Sequence, residues 1–289
     1  MPEVVRDCPL CGCNHSTHFD SCSFRGRPVI NRICSGCGLV FQSPRMNEAE
    51  SAAFYATEYR SMLEGSPAPT ARNIAIQNAR AESLLGFIRP VLPAVSRHLD
   101  IGCSLGILLR YIQGHYHNQS VGVEPGEAHR NHARHEGLSV YPTLEGLVES
   151  QEGRFDLVSM SHVLEHLPDP VGTLSRLRES VLAPEGCLLL EVPNLYAHDS
   201  FEVAHLIAFS PHTLQEVVDR SGYRIEKYEK HGRPNSEILP LFLTMLCRPT
   251  QASGLHPIHP ERSVKFKRWA GMLNRSILGR LFPHRAWHN

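Results

Sequence analysis

Two C-x-x-C pairs, Cys8-Pro-Leu-Cys11 and Cys34-Ser-Gly-Cys37, lie near the start of the chain. Each pair turns tightly enough to aim two thiolates at one ion. Two such pairs supply the four sulfur ligands of a tetrahedral zinc site. Four thiolates leave no open coordination position, so the pattern speaks for a structural ion rather than a catalytic one. Cys13, Cys22, His15 and His18 share the segment but lack paired spacing, which makes them weaker ligands. Phe24 to Ile33 can form strands between the pairs, and a module this short buries too little surface to fold without the ion.

A second constellation begins at His98-Leu99-Asp100-Ile101-Gly102-Cys103-Ser104-Leu105-Gly106 and runs into an amphipathic helix from Ile107. The apolar run Val121-Gly122-Val123 then ends on Glu124 and Pro125. Small residues after a first strand let a ligand lie against backbone and a helix N-terminus, and an acid ending the second strand can accept from ribose hydroxyls. A tight strand-to-helix connection would by itself explain Gly102 and Gly106. The acid that follows is what points to a nucleoside. A dinucleotide loop would read G-x-G-x-x-G, whereas this one reads D-x-G-x-S-x-G.

The Asp100–Gly106 turn with Glu124 resembles the first two motifs of class I S-adenosylmethionine-dependent methyltransferases. Phe155-Asp156-Leu157-Val158-Ser159-Met160-Ser161-His162-Val163-Leu164-Glu165-His166-Leu167 is similar to that family's fourth-strand motif, and Leu188-Leu189-Leu190-Glu191-Val192-Pro193-Asn194 to its fifth strand and loop. The resemblance implies an α/β fold, a doubly wound Rossmann-like seven-stranded sheet, and S-adenosyl-L-methionine as cofactor. Asp100, Gly102, Cys103, Ser104 and Gly106 would then hold the amino-acid tail and ribose, with Glu124 and Pro125 at the ribose. Ser161 and His162 would border the donated methyl. Many relatives place an acid after the third strand for the adenine amino group; here Tyr141-Pro142-Thr143-Leu144 has none, so backbone contacts must serve.

Methyl transfer is an in-line displacement, and an alcohol nucleophile reacts only as its proton is drawn away. An imidazole, with an unperturbed pKa of about 6.5, is the usual base near neutral pH. Of eighteen histidines, the resemblance puts His162, His166 and His205 at the cleft. His205 begins an H-x-x-x-F-S run that resembles an element of carbohydrate and small-molecule methyltransferases and would face the acceptor; packing beneath the next helix is the competing reading. His162 would shape the donor pocket, and a structural hydrogen bond is preferred for Glu165 and His166. Metal is not expected at these histidines, because no carboxylate cluster accompanies them.

Asn47 and Glu50 resemble a capping box that opens a helix carrying Phe54, Tyr55 and Tyr59. By resemblance to relatives with a ribbon ahead of the domain, Tyr55 or Tyr59 would sit beside the cofactor's carboxylate tail. Ordinary aromatic packing is the alternative. Ile74, Ala81, Leu84, Leu85 and Ile88 form a further core stripe. Asp169-Pro170 and Ser210-Pro211 are helix starts, and Gly222 is a stop. Tyr223 to Lys230 and Ile238 to Cys247 read as closing strands. The expected organisation is a zinc ribbon over 1–45, a helical cover over 46–95, the methyltransferase domain over 96–250, and a basic extension over 251–289.

Charge narrows the function. The 289 residues carry 29 Lys and Arg against 29 Asp and Glu, a net of zero, which argues against bulk nucleic-acid binding. No apolar run is long enough to span a bilayer and the first residues lack a signal pattern, so a cytoplasmic location is expected. Phe266, Trp269, Leu273 and Ile277 recur at helical spacing among Lys and Arg. Packing of that face on the domain or a partner subunit is preferred, with peripheral contact at the inner membrane face as the alternative. The expected activity is O-methylation of a sugar, glycan or small-molecule hydroxyl with a His base. One alternative is an RNA methyltransferase that uses the ribbon for its substrate. It is disfavoured by Ser161-His162-Val163-Leu164, where a base-amine motif would read N/D-P-P-Y/F. The other is a non-catalytic cofactor-binding scaffold.

Overall fold

A computed structural model describes residues 2–57, 70–199, 201–250 and 257–287. In the amino-terminal segment, β1 (Ser16–Phe24) and β2 (Arg27–Cys34) form an antiparallel hairpin, and β3 (Val40–Gln42) pairs with β2. A distant segment completes this sheet. β9 (Ile207–Ala208) pairs antiparallel with β3 through Val40 opposite Ala208 and Phe41 opposite Ile207.

The larger sheet has seven strands. In chain order they are β4 (Arg97–Ile101), β5 (Gln119–Val123), β6 (Ser139–Tyr141), β7 (Phe155–Ser161), β8 (Leu182–Pro193), β10 (Tyr223–His231) and β11 (Phe242–Pro249). Their spatial order is β10-β11-β8-β7-β4-β5-β6. β4 runs parallel to both β5 and β7, and β10 runs antiparallel to β11. The chain therefore leaves β4 in one direction toward β5 and later returns on its other side with β7. That reversal opens a crevice at the carboxyl end of β4, where ligands of wound sheets bind.

The connecting helices start where local chemistry dictates. Thr70 caps α2 (Ala71–Ile88), accepting from Asn73 N at 3.2 Å. Ser210 caps α7 (Pro211–Arg220) in a reciprocal box with Thr213, while Leu214, Val217 and Val218 are fully buried. Asp169 Oδ1 accepts from Gly172 N at 2.9 Å at the start of α6 (Pro170–Arg176). The remaining helices are α1 (Glu48–Thr57), α3 (Ile107–Tyr116), α4 (Glu127–His135), α5 (Leu144–Glu149), α8 (Val264–Leu281) and α9 (Pro283–Ala286). Tyr55 lies in α1, its side chain outside the description, and Tyr59 lies outside the described residues.

One boundary differs from expectation. β11 begins at Phe242, not Ile238. The N–H groups of Ile238 and Leu239 donate to Ser236 Oγ instead of a neighbouring strand. Leu239 and Leu241 are nonetheless buried in a cluster with Phe242 and Ala286, so a core-filling loop carries the apolar run of a strand.

Two compact units emerge. One comprises 1–47, 162–176 and 190–289; the other comprises 48–161 and 177–189. No helix of the described residues is long and apolar enough to cross a membrane.

Candidate functional site

In the first unit the four paired cysteines converge. Cys8 Sγ lies 3.5 Å from Cys37 Sγ and Cys11 Sγ lies 3.5 Å from Cys34 Sγ. All four sulfurs lie within 4.8 Å of one another. Zinc–sulfur bonds of about 2.3 Å place the sulfurs of a tetrahedron roughly 3.8 Å apart, whereas a disulfide would need about 2.05 Å. The donor set therefore fits one tetrahedral ion. Gly36 N donates to Cys34 Sγ at 3.3 Å and Leu39 N to Cys37 Sγ at 3.5 Å, as a knuckle loop does around a thiolate. The Cys34 sulfur beside it pushes the Cys8 thiol up to about 12. Four thiolates this close call for a cation. Cys13 and Cys22 stand outside the group: Cys13 faces the His15 carbonyl and Cys22 the Phe201 carbonyl.

In the second unit, the turn after β4 is built around Glu124. Its Oε2 accepts from Ser104 N at 2.9 Å and its Oε1 from Gly126 N at 2.8 Å, which fixes the carboxylate at the end of β5. Gly106 has φ +71°, and a Cβ there would meet Leu138 Cδ1 at 2.3 Å, so the helix enters flush against the core. Asp100 is 4% exposed at the carboxyl end of β4 and accepts from Ser159 Oγ at 2.6 Å. Burial pushes its carboxyl up to about 7, with the Ser159 hydroxyl opposing and Glu124 adding to the rise. A buried acid raised in this way is poised to ionise against an incoming cation. Cys103 is buried, Pro125 is exposed, and Ser161 closes β7. Two further residues brace Ser104, whose φ is +52°. Gln77 Nε2 donates to its Oγ at 3.1 Å, and His129 Nδ1 lies 2.9 Å from the same oxygen.

The three candidate histidines all lie in the first unit, around buried carboxylates. His162 has φ +55°, a rare conformation for a non-glycine residue, and its N–H donates to the Glu191 carbonyl at 2.8 Å. Its Nδ1 lies 3.2 Å from Glu165 Oε1 and its Nε2 3.4 Å from Glu191 Oε1. His205 Nε2 lies 3.0 Å from Glu202 Oε1 and 3.9 Å from Glu165 Oε1. His166 Nδ1 donates to the Ala204 carbonyl at 2.9 Å, which leaves its Nε2 with the lone pair. The His166 and His205 rings meet edge to face with centroids 4.8 Å apart. Burial alone would push the Glu165 carboxyl up, but His162 and the neighbouring imidazoles hold it at about 2. Burial lowers His166 to about 4, against the pull of Glu165.

This cluster corrects one expectation. Carboxylates do accompany the histidines: Glu165, His166 and His205 bring ligand-capable atoms within 4.8 Å of one another, with Glu202 beside them. Only folding brings residues 191 and 202 to 162–166. Thr244 Oγ1 donates to Glu191 Oε2 at 3.1 Å, and His231 Nε2 lies 3.3 Å from the same oxygen. Glu191 could have been found in the sequence, because a carboxylate inside the apolar run of Leu188–Val192 must be buried with partners. Glu202, His231, Gln77 and His129 carry no such signal.

A family model described as a methyltransferase domain matches residues 74–228, more than half of the chain. The ubiquinone biosynthesis O-methyltransferase of Pectobacterium atrosepticum is 31% identical over 140 residues, covering 45% of this chain and 54% of that protein. The Hahella chejuensis enzyme of the same description is 37% identical over 100 residues, covering 32% and 41%. The chain thus spans about half the length of the first of these relatives. Among solved structures, the Burkholderia thailandensis 1,6-didemethyltoxoflavin-N1-methyltransferase with bound S-adenosylhomocysteine is similar at TM-score 0.55 and 18% identity, covering 74% of this chain and 96% of that one. An S-adenosylmethionine-dependent methyltransferase from Archaeoglobus fulgidus follows at TM-score 0.51 and 19% identity, covering 65% and 97%. These structures share the wound-sheet fold, and the family match spans the Asp100 turn, Glu124 and the His162–His166 segment alike; the chain belongs to the methyltransferase-domain family.

Proposed function

We propose that the protein is an S-adenosylmethionine-dependent O-methyltransferase acting on a small-molecule hydroxyl, sugar hydroxyls included, with a structural zinc ion in its ribbon. The observation that carries this reading is the family match across residues 74–228, which takes in the carboxylates at the ends of β4 and β5. Relatives named as O-methyltransferases favour oxygen as the acceptor atom. The cofactor supplies an electrophilic methyl group on a sulfonium.

The chain's own residues bind, orient and move a proton. Asp100, buried and raised, would ionise to meet the ammonium of the cofactor's amino-acid tail. Glu124, held at the end of β5 by two backbone N–H groups, would accept from the ribose hydroxyls. Cys103, Gly102 and Gly106 keep the turn close to the ligand, and Pro125 and Ser161 border it. His205 would take the proton of the acceptor hydroxyl on the ring nitrogen that Glu202 does not hold, and Glu202, 3.0 Å from Nε2, would stabilise the resulting imidazolium. His166 stays neutral and packs against His205, while His162 and Glu165 hold the strained end of the cluster. Cys8, Cys11, Cys34 and Cys37 would hold the zinc ion, and four thiolates would leave it no open position for substrate, so its contribution would be to the stability of the ribbon.

Incubating the protein with labelled S-adenosylmethionine and a panel of phenols, sugars and nucleotide-sugars tests the reading. Methyl transfer to an oxygen, dependent on Glu124, supports it. Cofactor binding with no transfer to any hydroxyl, or transfer only to RNA, defeats it.

A further inference from the structure

Helix α8 presents two opposite faces that do different work. Its inner face is fixed to the first unit by unusual means. Arg268 donates from Nη1 to the carbonyls of Leu195 and His198, the latter at 3.2 Å, and Arg275 donates to the Ala197 carbonyl at 3.1 Å. Between them sits Gly271, where a Cβ would meet the Tyr196 carbonyl oxygen at 1.9 Å, so the helix backbone lies flush on that loop. Val264 anchors the first turn at 2% exposure. These contacts stop the helix rolling to bury its other side.

That other side is apolar and uncovered. Phe266, Trp269, Leu273, Ile277 and Leu281 are exposed by 65%, 60%, 45%, 46% and 65%. At about 100° per residue they fall in one stripe roughly 120° wide, opposite the two arginines. Phe282 adds a further exposed apolar side chain just past the helix. From Arg262 to Arg285 the chain carries seven Lys and Arg and no Asp or Glu, although the whole chain is neutral. Arg268 and Arg275 face the other way and Arg285 pairs with Glu237, so the cations beside the apolar stripe are Arg262, Lys265, Lys267 and Arg280. Lys265 and Lys267 flank the stripe, Lys265 donating to the His18 carbonyl and Lys267 pairing with Glu261.

We propose that α8 is an interfacial helix that seats the protein on an anionic lipid bilayer, with the aromatic and aliphatic stripe buried at the headgroup boundary. Aromatic residues at such a boundary and a basic flank are the features by which helices lie on anionic membranes. Self-association fits less well. Two copies facing each other would bring both cationic segments together, and spacings of three, four, four and four residues depart from the alternating three and four of a coiled-coil seam. The inference is independent of the acceptor's identity.

The test uses the full chain and vesicles of phosphatidylcholine, with and without phosphatidylglycerol. The protein should co-sediment with the anionic vesicles, less so at high salt, and bromine-labelled acyl chains should quench its tryptophan fluorescence. The double variant Phe266→Ser with Trp269→Ser changes only exposed positions. It should keep the circular dichroism spectrum and cofactor affinity of the parent and lose at least tenfold in vesicle partitioning. Absence of binding to anionic vesicles, or binding undiminished in the variant, overturns the proposal. So does a wild-type dimer in solution that the double variant dissociates, since the stripe would then be covered by a second copy.

Discussion

Gln42, in the third strand of the ribbon, donates from Nε2 to the backbone carbonyl of His205 at 2.8 Å. The same amide reaches the Glu202 carbonyl at 2.5 Å. Two residues further on, Ile207 pairs with Phe41 in the ribbon sheet. The loop that carries the proposed base is therefore built on the ribbon, and a cysteine-held module earns its place by setting the position of an imidazole far along the chain.

Losing the proposed zinc should reach the chemistry through that route. Cys34→Ser is expected to lose about one zinc per chain and to loosen the ribbon, because bound zinc can contribute on the order of 10 kcal/mol to such a fold. Turnover should fall sharply while affinity for S-adenosylhomocysteine, whose proposed contacts lie in the other unit, stays within a few fold. Metal analysis and calorimetry on the same preparation check both halves. Zinc content unchanged in Cys34→Ser would refute the ligand set.

Gln42→Ala isolates the positioning role. It removes two hydrogen bonds to the 202–205 loop without touching a cysteine, at a cost of roughly 1–2 kcal/mol. The expected result is a lower kcat with zinc content and cofactor affinity retained. A kcat equal to that of the parent would separate the ribbon from the acceptor cluster.

Asp100 predicts a pH dependence whose sign can be worked out. Its carboxyl sits at about 7 in the fold against an ordinary value of 3.8. The raised group favours the folded state below about pH 4, and that contribution is lost as pH rises through about 7, a change on the order of 4 kcal/mol. Asp100→Asn cannot ionise, so denaturation followed at about pH 5 and pH 8 should show a smaller fall for the variant. Identical slopes would mean that Asp100 is already ionised in the free protein. The same variant should bind S-adenosylhomocysteine more weakly, because the anion that meets the tail is gone.

What the sequence made readable was what local chemistry encodes. The paired cysteines, the Asp100–Gly106 turn followed by Glu124, and the Ser210-Pro211 helix start each announce themselves within a few residues, because a knuckle, a strand-to-helix turn and a cap are short-range structures. The bracing of Ser104 by Gln77 and His129 is different in kind. Those residues belong to two helices whose own periodicity says nothing about a shared oxygen. The same holds for Glu202 and Glu191, separated from Glu165 by long stretches of chain yet joined to it through His205 and His162. The outward face of α8 was legible as amphipathic. Which way it turned was not, because that depends on the flush contact of Gly271 with Tyr196.

His205→Ala bears most directly on the mechanism. A positioned base contributes about 10²–10⁴-fold, so kcat on an identified acceptor should fall within that range. Affinity for S-adenosylhomocysteine should not change, since the carboxylates proposed to hold the cofactor, Asp100 and Glu124, belong to the other unit. Glu202→Gln keeps the shape of the neighbour but removes the carboxylate 3.0 Å from Nε2, so it should lower kcat by less than His205→Ala does. If His205→Ala retained full turnover, proton removal would fall to another group of the cluster. His166, whose Nδ1 donates to the Ala204 carbonyl and whose ring meets that of His205, would then be the residue to substitute.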